Sequence, residues 1–127
     1  MSAPGKVKKL VYVVDDNPLL GQVTAQIIGS DGYETRFFTD PLKAREALRV
    51  DRPSPDILVT DFDLGPIVGF DLIETAREHI PGIRCMIVSG TVQPQILANH
   101  PTRAEKFLPK PFKADELLAC VGELAKD

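Results

Sequence analysis

The chain has 127 residues, 43% hydrophobic and 26% charged, with no tryptophan. That is enough for one domain with a proper core and too few for two. The formal net charge of −3 argues against direct binding of nucleic acid, which needs a basic face to neutralise phosphates. No apolar run approaches the roughly 20 residues that cross a bilayer, and Met1 to Lys9 lacks the apolar centre of a signal peptide, so the expectation is a cytoplasmic protein with no membrane contact.

The first predicted strand, Lys9–Val14, contains the run Leu10-Val11-Tyr12-Val13-Val14 and ends at Asp15-Asp16. Asn17 then stands as an N-cap, with Pro18 at the first helical position, and Leu20, Val23 and Ile27 follow helical spacing. A second strand, Glu34–Phe38, leads to Asp40-Pro41, the same cap-and-proline signal, which opens a helix carrying Leu42, Ala44 and Leu48 towards the turn from Asp51 to Pro55. The third strand, Ile57–Thr60, ends in Asp61. A helix from Gly69 to Ile80 places Phe70, Ile73 and Ala76 on one face before Pro81-Gly82 breaks it.

The fourth strand, Cys85–Val88, ends at Ser89. Pro94 and Pro101 interrupt the connection that follows, and proline is tolerated only in a helix's first turn, so any helix there is short, from Pro94 to Asn99. The fifth strand, Lys106–Leu108, runs into Pro109-Lys110, and a last helix from Ala114 to Ala125 carries Leu117, Leu118, Val121 and Leu124. Strand and helix alternate five times, which predicts one α/β domain over residues 1–127, core 9–125, with a parallel sheet. The expectation is that no output domain follows the last helix. Cys85 and Cys120 have no metal-like spacing and read as two buried reduced thiols. His79 and His100 have no ligand partner nearby.

In an open parallel sheet, ligands bind beyond the carboxyl ends of the strands. Asp15, Asp16 and Asp61 converge there if the first and third strands are neighbours. Two like charges about 4 Å apart repel by roughly 4 kcal/mol at an effective dielectric near 20, so the cluster must take up protons or hold a cation. Oxygen-only ligands suit Mg²⁺, which keeps several waters and shares positions with phosphate oxygens. Ser89 and Lys110 reach the same edge. Acids for Mg²⁺, a possible nucleophile, a hydroxyl and an ammonium are the groups phosphoryl transfer requires.

With these residues in this order, the chain resembles a stand-alone receiver domain of a two-component response regulator over Lys9 to Ala125. Asp15-Asp16 is similar to the family's acidic pair, Asp61 to its phosphoacceptor, Ser89-Gly90 to its hydroxyl and small neighbour, and Lys110-Pro111-Phe112 to its Lys-Pro-Phe motif. Each motif alone is weak; the spacing of 45 residues from Asp16 to Asp61, 28 to Ser89 and 21 more to Lys110 makes them specific together.

The resemblance implies a flavodoxin-like doubly wound sheet in strand order 2-1-3-4-5 with five helices, the fourth short or irregular. It implies that Asp16, Asp61 and the backbone carbonyl of Asp63 ligate Mg²⁺, with Asp15 acting mainly through water. Asp61 would accept a phosphoryl group from the phosphohistidine of a sensor histidine kinase or phosphotransfer protein. Ser89 and Lys110 would grip it, Phe107 would occupy an aromatic switch position, and Asp63 and Thr91 would tune dephosphorylation. The Lys110-Pro111 bond would be cis. The chain would pass the change to a downstream protein rather than turn over a small molecule, and the sequence does not set an oligomeric state. Two departures stand out: Gly65, not proline, lies four residues after Asp61, and prolines fill the fourth connection.

The enzyme alternative is a haloacid-dehalogenase-like phosphatase, because Asp61-Phe62-Asp63 matches its DxD motif. There, however, DxD follows the first strand and the acidic pair comes last, the reverse of the order here. A third reading is a non-phosphorylated pseudo-receiver used as a docking module.

Overall fold

The apolar runs pair side by side. In the computed structural model, which describes residues 8–90, 95, 99 and 101–126, they form β1 (Leu10–Val14), β2 (Glu34–Phe38), β3 (Ile57–Asp61), β4 (Arg84–Ser89) and β5 (Lys106–Pro109). The sheet is parallel, in the order β2-β1-β3-β4-β5. This is the expected flavodoxin-like α/β arrangement, and its order reverses between β1 and β3, where a crevice opens at the carboxyl ends. Val14 pairs with Thr60, so the residues that follow, Asp15 and Asp61, emerge side by side.

Among the described residues four complete helices flank the sheet: α1 (Pro18–Ser30), α2 (Pro41–Val50), α3 (Gly69–His79) and α4 (Ala114–Leu124). The predicted caps form. Asn17 Oδ1 accepts from the backbone N–H groups of Leu19 and Leu20, and Asp40 Oδ1 from that of Leu42. The short helix expected between Pro94 and Asn99 lies outside the described residues, apart from Gln95 and Asn99, which are both helical.

Both faces of the sheet are covered, which is why its central strands read as unbroken apolar runs rather than alternating ones. Tyr12, Val14, Leu58 and Ile87 face the layer of Ala44, Leu48, Phe70 and Ile73, while Val11, Val13, Val59 and Met86 face Ala25, Ile28, Leu117 and Val121. Three helices bury most of the residues that spacing selects: Ala44 and Leu48 on α2, where Leu42 is exposed, Phe70, Ile73 and Ala76 on α3, and Leu117, Val121 and Leu124 on α4, where Leu118 is half-buried.

Helix α1 does not. It buries Gly21, Thr24, Ala25 and Ile28, leaving Leu19 71%, Leu20 46% and Val23 43% exposed. The strands beneath supply the bulk on that side through Val11, Val13 and the ring of Phe37, so only a face of mostly small residues can lie close against them. The thiols also depart from expectation in part. Both are free, but Cys120 is only half-buried. Among the described residues no helix is long and apolar enough to cross a membrane.

Candidate functional site

Three strand ends meet at the crevice. Asp15 follows β1 and is buried, held from below by its own N–H, which donates to the carbonyl of Phe38 at 3.1 Å. Its Oδ1 accepts from the N–H of Asn17 at 2.9 Å, a turn that starts α1. Asp61 closes β3, and its Oδ1 accepts from the N–H of Phe62 at 2.8 Å. Lys110, just past β5, reaches between them. Its Nζ lies 3.2 Å from Asp15 Oδ2 and 3.4 Å from Asp61 Oδ2. One ammonium is thus shared between the two carboxyl groups. The Lys110-Pro111 bond is cis, as expected.

Asp16 completes the acidic group: one oxygen from each of Asp15, Asp16 and Asp61 lies within 4.8 Å of the others. One ammonium against three carboxyl groups leaves negative charge that a hard, oxygen-seeking divalent ion would balance, so the donor set fits Mg²⁺. Burial raises the pKa of the Asp61 carboxyl above its ordinary range; Lys110 opposes that rise and Asp15 adds to it. Asp61 is therefore a carboxyl group kept poorly solvated.

Ser89 is buried at the end of β4, one residue beyond the partner of Asp61, and its carbonyl accepts from the N–H of Lys110 at 3.0 Å. A Cβ on Gly90 would only touch Lys110, whose Cβ lies 3.4 Å from that position. Phe107 is half-buried against the layer that contains Phe70 and Ile73. Asp63 is exposed, and its Oδ1 accepts from the N–H of Gly65 at 3.4 Å. Gly65 has φ +91°, a conformation open to glycine and strained for a side chain, which accounts for glycine in the loop. Thr91 and His100 lie outside the described residues. His79 is exposed and bonds only its own helix, at the carbonyl of Thr75.

Motif reading misses the residues that support this cluster. Gly69 starts α3 so close to the loop that a Cβ there would stand 2.7 Å from the carbonyl oxygen of Asp61, and its N–H donates to the carbonyl of Phe62 at 2.7 Å. The Thr60 hydroxyl donates to the same Asp61 carbonyl at 2.8 Å. The return to β5 is also tied down. The Arg77 guanidinium donates to the Arg103 carbonyl at 2.6 Å and to Glu105 at 3.0 Å, while the other oxygen of Glu105 accepts from the Cys85 N–H at 2.7 Å. Burial, with Glu105 adding to it, pushes the Cys85 thiol up to about 12, leaving it unreactive. A glycine at the start or middle of a helix is the one sequence signal for such contacts, because it sacrifices helix stability.

The family model for the response regulator receiver domain matches residues 11–122. Among curated proteins, the chain is 27% identical over 115 residues to the DNA-binding response regulator MtrA of Mycolicibacterium smegmatis, covering 91% of this chain and 50% of that protein. It is 29% identical over 112 residues to the DNA-binding transcriptional regulator NtrC of Proteus hauseri, covering 87% and 23%. The chain thus spans half the length of one relative and under a quarter of the other. Among solved structures, the receiver domain of NtrX from Brucella abortus superposes with TM-score 0.79 at 26% identity, over 90% of this chain and 96% of that one. A CheY-like receiver domain from Methanospirillum hungatei superposes with TM-score 0.82 at 22% identity, over 92% and 93%.

Proposed function

The chain belongs to the response regulator receiver domain family, a class of signalling modules that partner with histidine kinases, and from that premise we propose that it is a phosphorylation-driven switch whose phosphoacceptor is Asp61. The observation that carries this reading is the ammonium of Lys110 standing 3.2 Å from Asp15 and 3.4 Å from Asp61 at the carboxyl edge of the sheet. In the proposed transfer a carboxylate oxygen of Asp61 attacks the phosphorus of a phosphohistidine on a sensor kinase or phosphotransfer protein. The P–N bond breaks, the imidazole nitrogen leaves with the electron pair and takes up a proton, and Asp61 becomes an acyl phosphate.

Asp15, Asp16, Asp61 and the backbone carbonyl of Asp63 would hold Mg²⁺, which when bound neutralises phosphoryl oxygens. Lys110 has a second partner in Asp15, so it stays anchored at the site while exchanging its contact with the Asp61 carboxylate for one with a phosphoryl oxygen. Ser89 bonds another of those oxygens. The resulting pull on the end of β4 reaches Phe107, which pairs with Ile87 in register. Asp63 and Thr91 set the lifetime of the acyl phosphate. Output passes from this domain to a protein partner in the cytoplasm, with no turnover of a small molecule; DNA binding is a property stated for MtrA and NtrC.

Incubation with acetyl phosphate and Mg²⁺ tests the assignment. Intact-mass measurement should show one added, hydroxylamine-labile phosphoryl group in the wild type and none in Asp61→Asn. Equal labelling of the variant would overturn the choice of acceptor.

A further inference from the structure

Gly21 is the fourth residue of α1, at the end of its first turn, and glycine is a poorer helix former than alanine. Its φ is not positive, so backbone conformation does not demand glycine there. Space does. A Cβ at residue 21 would stand 2.2 Å from Cε1 and 2.5 Å from Cζ of Phe37, and 3.0 Å from Cβ of Asp15. The ring of Phe37 therefore occupies the volume that any side chain on Gly21 would need, and Asp15 borders the same volume.

We propose that Gly21 and Phe37 form a matched pair of positioning residues that set where Asp15 stands, and through Asp15 the geometry of Lys110 and the affinity of the acidic cluster for a divalent cation. This rests on the reading of the cluster as a cation and phosphoryl site. The ring is partly buried against the layer that contains Val11, Val13, Ala25 and Ile28, and its Cε1–Cζ end must move before a side chain fits on residue 21. An added methyl would also stand 3.0 Å from Cβ of Asp15, whose own position is set by three bonds: its N–H to the Phe38 carbonyl, its Oδ1 to the Asn17 N–H and its Oδ2 to Lys110. Displacement by a few tenths of an ångström alters all three together. Shortening residue 37 removes the Cε1 and Cζ atoms that collide, and the methyl then occupies the vacated volume.

Calorimetric titration of the purified, metal-free chain with Mg²⁺ tests the pair, alongside thermal melting. Groups that orient metal ligands change affinity by about 10- to 100-fold when lost, so Gly21→Ala should bind Mg²⁺ about tenfold more weakly than wild type. Phe37→Leu with Gly21→Ala should recover most of that loss. Gly29→Ala makes the same glycine-to-alanine exchange on the same helix, where a Cβ meets only the Thr35 hydroxyl at 3.9 Å, and should leave affinity unchanged. A purely structural role for Gly21 would move the melting temperature and not the affinity ratio between these variants. If Gly21→Ala does not fold, the test moves into the Phe37→Leu background. There the added methyl should leave Mg²⁺ affinity equal or better, and weaker binding would overturn the pairing. Wild-type protein that binds no Mg²⁺ overturns the reading of the site and this inference with it, whereas wild-type binding matched by Gly21→Ala overturns the inference alone.

Discussion

Helices α1 and α3 each begin just beyond an acidic strand end, and each brings a glycine against it, yet they turn their bulky apolar residues in opposite directions. Helix α3 buries Phe70, Leu72, Ile73 and Ala76. Helix α1 leaves Leu19, Leu20 and Val23 exposed and buries a face of mostly small residues. The glycines differ in kind as well. Gly69 faces a backbone carbonyl, whereas Gly21 faces the end of an aromatic ring first. Apolar spacing thus identifies a helix without telling which face the sheet will accept, because that depends on how much volume the strands already supply.

The largest expected contrast is between the two apolar faces. Ile73→Ala empties a fully buried position and should cost about 2–5 kcal/mol, while Leu20→Ala should stay within about 0.5 kcal/mol. Denaturant unfolding of both variants measures the gap. Similar losses would show that the outer face of α1 is packed in solution, and the comparison would fail.

Next in size is Gly69→Ala. Alanine is the better helix former, so propensity predicts a gain, but the 2.7 Å approach to the Asp61 carbonyl predicts overpacking worth about 1–3 kcal/mol. The carbonyl is backbone and cannot rotate away as a side chain can. The loss should therefore come with slower acetyl phosphate labelling of Asp61. A stabilised Gly69→Ala that labels normally would put the two glycines in the same class.

The smallest effect concerns the carboxyl group of Asp61. Burial raises the Asp61 pKa, with Lys110 opposing and Asp15 adding to it. The native state then holds this proton more tightly than the unfolded state, so stability falls as pH rises through the window between the two pKa values. The ionised carboxylate is a burden at neutral pH, and the burden disappears as pH falls below the raised value. In the presence of EDTA, Asp61→Asn should melt above wild type at neutral pH, with the difference closing on acidification. A lower melting temperature at neutral pH would mean that the bond to Lys110 outweighs the cost of burial.

Much of this architecture is local in the chain and so legible from it. The runs at Leu10–Val14 and Ile57–Asp61 are apolar because both faces of the sheet are covered, and their acids follow directly. Asn17-Pro18 and Asp40-Pro41 announce helix starts because capping bonds span only two or three residues. Asp15, Asp16, Asp61 and Lys110 were recognisable as a set through their order, and they do converge.

What the tertiary structure decided are the relations between distant segments. Lys110 and Asp15 stand 95 residues apart in the chain, and their contact exists only because β5 and β1 end at one edge of the same sheet. The hold of Arg77 on Glu105 and the fit of Gly21 to Phe37 depend likewise on the separation of elements to within fractions of an ångström. Sequence determined which groups arrive at the crevice; close packing determined which of them share a proton donor, which glycines cannot carry a side chain, and which face of α1 meets water, because those outcomes depend on volumes contributed by several elements at once.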